Sequence, residues 1–162
     1  MVYQVAVCGP RHCTEADASN AYRVGQLLTD AGAVVICGGG IGVMAAVAAG
    51  VRSRNGIVVG IRPNDSRDGA SPDLSVTIVT NMGEARNAII VWSADAVIVV
   101  GGSWGTLSEL ALAKRRGTIP VISLGGWQVL DGDGLPLPGI EVARTPEAAT
   151  ELALAALPTS NT

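Results

Sequence analysis

Short apolar runs alternate with longer stretches of helical spacing along the whole chain. Val2–Cys8 is apolar and stops at Gly9-Pro10, which predicts a strand. Thr14–Gly32 carries Ala21, Val24, Leu28 and Ala31 at helical spacing, with Thr14 as cap and Gly32 as stop. Ala33–Cys37 reads as a second strand, Gly42–Arg54 as a helix of small residues, and Gly56–Ile61 as a third strand closed by Pro63. A polar loop, Asn64–Asp73, precedes a fourth strand, Ser75–Thr80. Glu84–Ser93 is predicted helical, with Ala85, Ala88, Ile89 and Trp92 as its face. Ala96–Val100, Thr106–Arg116 and Ile119–Leu124 follow as strand, helix and strand. Thr145-Pro146 opens a last helix to about Leu157. The residues beyond it, Pro158–Thr162, are expected to be disordered.

The predicted strands are unbroken apolar runs rather than alternating ones. Strands covered on both faces read this way. The expected fold class is therefore α/β: a single-domain, Rossmann-like open parallel sheet with helices on both faces, spanning residues 1–157. No internal repeat or domain boundary interrupts the pattern.

Composition narrows the function classes. Of 162 residues, 48% are apolar and 15% charged, which excludes a disordered chain. Eleven basic against 14 acidic residues leave a net charge of −3. A dedicated nucleic-acid binder carries a basic surplus, so no nucleic-acid partner is expected. No apolar run approaches the ~18 residues of a membrane span, so no membrane partner is expected either. No secretory signal pattern precedes the first strand, and a cytoplasmic location is expected. Ten of the basic residues are Arg, with Lys114 the sole Lys. Arginine suits bidentate recognition of phosphate or carboxylate, although a GC-rich genome produces the same bias. Cys8, Cys13 and Cys37 do not make a disulfide framework. With His12 they lack the paired short spacing of a zinc site, so no metal is expected. Asp131-Gly132-Asp133-Gly134 reads as two overlapping turns, because the later ligands of a calcium loop are missing.

In an open parallel sheet, ligands bind beyond the carboxyl ends of the strands. Three such ends are glycine-rich: Gly9-Pro10-Arg11, Gly38-Gly39-Gly40-Ile41-Gly42 and Gly101-Gly102-Ser103-Trp104-Gly105-Thr106. Each leads into a predicted helix, whose free N–H groups and positive partial charge suit a phosphate. Gly40-Ile41-Gly42-Val43-Met44-Ala45 also fits the dinucleotide fingerprint. It follows the second strand instead of the first, and Ile61-Arg62 stands where an acid should hold the ribose. Arg62 leaves only a reader of a 2′-phosphate open. No P-loop sequence is present. Glu109 lies one turn inside the helix after the last glycine loop, and Arg86 opens the preceding helix. Glu109 has two readings: a site carboxylate, or the far end of a Thr106-x-x-Glu109 capping box. Arg86 likewise belongs to a site or to a surface salt bridge.

These stretches resemble the Lonely Guy (LOG) family. The run Val100-Gly101-Gly102-Ser103-Trp104-Gly105-Thr106-Leu107-Ser108-Glu109 is similar to that family's P-G-G-x-G-T-x-x-E motif. Gly38-Gly39-Gly40-Ile41-Gly42-Val43-Met44 resembles its earlier glycine segment, and Met82…Arg86-Asn87 its Arg-Lys pair near a Met. The resemblance covers about residues 2–124. It implies a phosphoribohydrolase that releases base and ribose 5-phosphate from nucleoside 5′-monophosphates, with no cofactor required. It further implies Arg86 and Glu109 as catalytic residues. The implied phosphate- and nucleotide-binding residues are Gly9, Gly39, Gly40, Gly42, Met82, Asn87, Gly101, Gly102, Ser103, Gly105 and Thr106. Val100 replaces the family's Pro, and Asn87 its Lys. With the Cys-Gly-Pro-Arg opening, these departures look more like a branch related to DprA/Smf proteins, which also resembles molybdenum cofactor carrier proteins. That branch implies the alternative, a non-catalytic carrier of a molybdopterin-type cofactor.

Ile89, Ile90, Val91 and Trp92 are four consecutive apolar residues that cannot all face one core, since a helix turns ~100° per residue. A homodimer or higher homo-oligomer is expected. Trp104, inside the phosphate loop, either stacks on a base or packs in the core.

Overall fold

The unbroken apolar runs become one parallel sheet in a computed structural model that describes residues 2–158. The elements are β1 (Gln4–Cys8), α1 (Glu15–Asp30), β2 (Val34–Cys37), α2 (Val43–Arg52), β3 (Val58–Arg62) and β4 (Val76–Val79). A 3-10 turn (Gly83–Ala85) runs into α3 (Arg86–Trp92). Then come β5 (Ala96–Val100), α4 (Trp104–Arg116), β6 (Val121–Leu124), β7 (Glu141–Ala143) and α5 (Pro146–Ala155). The strand order is β4-β3-β2-β1-β5-β6-β7, with every neighbouring pair parallel. The order reverses between β1 and β5, which opens a crevice at their carboxyl ends.

Alternate residues of each central strand enter opposite cores, as a period of two requires. Val5, Val7, Val35, Cys37, Ile98 and Val100 pack with α1, α2 and α5. Ala6, Cys8, Ile36, Val97 and Val99 pack with α3 and α4. The predicted α/β architecture with helices on both faces is the observed one. Thr14 caps α1 with a reciprocal Asp17 contact, and Thr145 caps α5.

Close helix packing on the first face depends on two glycines. A Cβ on Gly25 would come 2.5 Å from the Val47 carbonyl oxygen, and one on Gly50 would overlap the Tyr22 carbonyl. Backbone atoms cannot move aside as a side chain can. Gly50→Ala is expected to destabilise the protein by about 1–3 kcal/mol through forced separation of α1 and α2. Urea denaturation measures it, as a lower midpoint at unchanged slope.

Three expectations need correction. First, the buried residues of α3 are Arg86, Asn87, Ile90 and Val91, not the face of Ala85, Ala88, Ile89 and Trp92. The 3-10 turn advances three residues per turn, so it shifts the phase of the helix it feeds. Second, α4 begins at Trp104 rather than Thr106. Ser103 is its cap, with the Thr106 N–H donating to the Ser103 Oγ at 3.2 Å. Third, β7 has no counterpart in the predicted strands, because three residues behind a turn-rich stretch carry no periodic signal. Of the tail expected to be disordered, Pro158 is described, with its carbonyl beside the Tyr3 hydroxyl. The rest of that tail, 159–162, lies outside the described residues.

The far ends of α3 and α4 are fastened together. Arg116 Nη1 donates to the carbonyls of Val91 (2.5 Å) and Ala94 (2.7 Å), satisfying acceptors at the end of α3. Its guanidinium lies 5.0 Å from the centre of the Trp92 ring.

Candidate functional site

A cleft of about 630 Å³ opens at the carboxyl ends of β1 and β5. Gly9 to His12 form one wall as the chain leaves β1. Arg86 and Asn87, from the start of α3, form another. Ser103 to Thr106, with Ser108 and Glu109, bring in the first two turns of α4. All three segments end at this edge because each follows a β-strand that terminates there. A second cavity, of about 380 Å³, lies beyond β6 and β7 and holds none of the residues predicted for the site.

Glu109 is 6% exposed and Arg86 8%. Their closest approach, Arg86 Nη1 to Glu109 Oε1, is 3.9 Å. That distance is an ion pair without a tight hydrogen bond. Arg86 Nε and Nη1 have no hydrogen-bond partner, so the guanidinium keeps donors unspent beside the cleft. Gly38 explains where it rests. A Cβ there would stand 2.6 Å from Arg86 Nη1 and 2.6 Å from Met44 Sδ, so any side chain would displace the arginine.

Burial pushes the Glu109 carboxyl up from 4.5 to about 7. The Arg86 charge and the Cys8 thiol pull it back down, and Glu84 raises it slightly. The Cys8 thiol is itself raised well above its usual value, first by burial and then by Glu109. Glu109 therefore changes charge near neutrality, where an acid–base or electrostatic role can be tuned. With Ser103 as cap, Glu109 is not the acid of a capping box, and that reading of it falls away.

A raised carboxyl pKa has a definite sign in stability. The native state holds a proton that the unfolded chain gives up near 4.5. The contribution is therefore complete below about pH 4.5 and is lost as pH rises through about 7. The difference is on the order of 3 kcal/mol. The melting temperature of the wild type is expected to fall between pH 5 and pH 8, and Glu109→Gln to flatten that slope. Parallel slopes by calorimetry would disprove it.

The α4 N-terminus supplies the other half of the site. Ser103 Oγ and Thr106 Oγ1 lie 2.9 Å apart and are occupied with each other and with the Thr106 amide. The amides of Trp104 and Gly105 remain at the open end of the helix, the usual seat of a phosphate. Asn87 Nδ2 donates to Glu84 at 3.4 Å, on the opposite wall.

Of the residues predicted for the site, Gly9, Arg86, Asn87, Ser103, Gly105, Thr106 and Glu109 line the cleft. Gly39, Gly40, Gly42, Gly101, Gly102 and Met82 do not. A Cβ on Gly40 would lie 3.2 Å from Arg62 Nη1, and one on Gly42 would overlap the Pro10 and Arg11 carbonyls. Gly101 packs on the Asp17 carboxylate, and Gly102 on the Trp127 ring. Met82 is half-exposed before the 3-10 turn. Arg62 is buried and donates to the carbonyls of Gly39 (3.3 Å) and Asp68 (2.8 Å). It fastens the glycine turn to the polar loop. Arg11, His12 and Ser108 also line the cleft but were not singled out as site residues from the sequence. Their positions directly after β1 and one residue before Glu109 are the only sequence signal they carry.

The model of the SLOG cluster4 family matches residues 2–150. A protein of Archaeoglobus fulgidus is 43% identical over 146 residues, 90% of this chain and 91% of that one. A cytokinin riboside 5′-monophosphate phosphoribohydrolase of Mycobacterium tuberculosis is 33% identical over 120 residues, 69% of this chain and 64% of that one. Among solved structures, the molybdenum cofactor binding protein from Rippkaea orientalis has a TM-score of 0.88 at 36% identity. The match covers 96% of this chain and 97% of that one. One expectation is overturned. The single-stranded DNA-binding DNA processing protein A from Helicobacter pylori shares the fold, with a TM-score of 0.71 at 16% identity over 96% of this chain and 82% of that one. A net charge of −3 is thus no ground for excluding a nucleic-acid partner on this fold. Among the described residues, no helix is long and apolar enough to cross a membrane.

Proposed function

The chain belongs to the SLOG cluster4 family, and from that premise we propose that its cleft binds a phosphorylated, nucleotide-type ligand and hydrolyses the N-glycosidic bond of nucleoside 5′-monophosphates. The observation that carries this reading is the buried Glu109–Arg86 pair beside the open end of α4. The amides of Trp104 and Gly105 hold the 5′-phosphate and fix the sugar. The Glu109 carboxylate faces the anomeric carbon and stabilises the positive charge that develops as the bond to the base breaks. Water adds to that carbon, the electron pair of the broken bond goes to the base nitrogen, and the proton lost by water ends on the base. The products are free base and ribose 5-phosphate. Arg86, with its unspent donors, orients both Glu109 and the sugar. Chromatography of AMP and other monophosphates incubated with protein tests this. Absence of free base at high protein concentration refutes hydrolysis.

A second reading rests on a separate observation: the likeness to the Rippkaea orientalis protein spans nearly the whole chain, whereas the phosphoribohydrolase match covers 69% of it. On this reading the same cleft carries a phosphorylated molybdopterin-type cofactor without cleaving it. Mass spectrometry of small molecules released from denatured protein separates the two: a pterin supports carriage, a nucleotide or ribose 5-phosphate supports hydrolysis. We place the protein in the cytoplasm, in keeping with its three free cysteines. Trp92 is 65% exposed on α3 and fits a subunit contact. Light scattering at micromolar concentration is expected to give at least twice the protomer mass.

A further inference from the structure

We propose that Trp104 is the wall on which the ligand's planar ring system stacks, and that it selects a fused two-ring heteroaromatic over a single ring. The inference rests on the reading of the cleft as a nucleotide site and adds the class of base it takes. Trp104 is 79% exposed, so its indole is not part of either core. It nevertheless lines the same cleft as Arg86 and Glu109. As the first residue of α4 it stands on a helix terminus, a rigid support. Trp127 meets it edge to face, with ring centres 5.1 Å apart and planes at 84°. Trp127 in turn lies directly on Gly102, where a Cβ would overlap its ring. The two indoles are thus built up from the glycine loop, and the second fixes the attitude of the first.

Position and chemistry agree. Trp104 and Glu109 are five residues apart on one helix, about 7.5 Å along its axis. That is the scale of one sugar, and because both side chains line the same cleft, a ribose at Glu109 leaves its base within reach of the indole. An indole is itself two fused rings. A purine or pterin can cover most of it, whereas a pyrimidine covers about half. Base–aromatic stacking changes affinity by about tenfold or more on alanine substitution.

The test uses wild-type protein, Trp104→Ala and Trp104→Phe. Dissociation constants for AMP and CMP come from stopped-flow tryptophan fluorescence, read before turnover, and for ribose 5-phosphate from calorimetry. Expected are AMP binding about tenfold tighter than CMP, an approximately tenfold loss of AMP affinity in Trp104→Ala, and a much smaller loss for ribose 5-phosphate, because alanine keeps the backbone amide proposed to hold the phosphate. Trp104→Phe should recover most of the AMP affinity. If ribose 5-phosphate binds but AMP and CMP bind alike and Trp104→Ala changes neither, the stacking role is wrong and the phosphate site stands. If Trp104→Ala alters the mass by light scattering and weakens AMP and ribose 5-phosphate equally, the ring is a subunit contact and the proposal fails. If the wild type binds none of the three, the nucleotide reading falls and this inference with it.

Discussion

Glu109→Gln is expected to slow the release of adenine from AMP by about 10²–10³-fold. Glutamine preserves the shape and the buried position of the side chain but cannot carry the negative charge that an oxocarbenium-like transition state needs. Glu109 is buried, and in such surroundings that charge is worth more than it would be in solution. The binding of ribose 5-phosphate should change little, because the proposed phosphate site is the start of α4 and not the Glu109 side chain. The pair of measurements is therefore diagnostic: initial rates of base release and a calorimetric constant for the product. A variant that retains full turnover would remove Glu109 from the chemistry. Intact binding with no turnover even in the wild type would leave the cleft to a carrier.

Arg86→Ala should be nearly as damaging, about 10²-fold at pH 7, and for a cause that a pH profile can expose. In the wild type the Glu109 carboxyl titrates near 7. In the proposed reaction the carboxylate is the working form, so kcat/KM should climb about tenfold per pH unit well below 7 and level off above it. The Arg86 charge is what lowers that carboxyl against the effect of burial. Without it the rising limb moves to higher pH, and less of the carboxylate is available at neutrality. Arg86→Lys keeps a positive charge and should return the limb part of the way. An unchanged limb in Arg86→Ala would mean that the two groups do not sense each other.

The strands and their parallel arrangement were legible because burial on both faces leaves only apolar residues in Val5–Cys8 and Ala96–Val100. Thr14 and Thr145 announced their helices because a cap is a local property of the chain. The inward face of α3 was not legible. Hydropathy places Arg86 and Asn87 outside, and only the sheet edge explains why two polar residues turn inward there. The start of α4 was missed for a related reason: Ser103 and Thr106 are both acceptable caps, and the backbone decides between them. The same ambiguity made Glu109 readable as the far end of a capping box, a reading that the Ser103 cap removes. The glycines divide in an unforeseen way. Gly9 and Gly105 line the cleft, whereas Gly38 and Gly102 serve it indirectly, by leaving room for Arg86 and Trp127.

The Arg116 fastening has a mechanical consequence. α3 and α4 both begin at the cleft, with Arg86 and Trp104, and both finish where Arg116 binds the Val91 and Ala94 carbonyls. Arg116 thus ties together, at one end, the two helices that hold Arg86 and Glu109 nearer the other. Arg116 lines no part of the cleft, so the spacing of the ion pair rests in part on a contact at the opposite end of both helices.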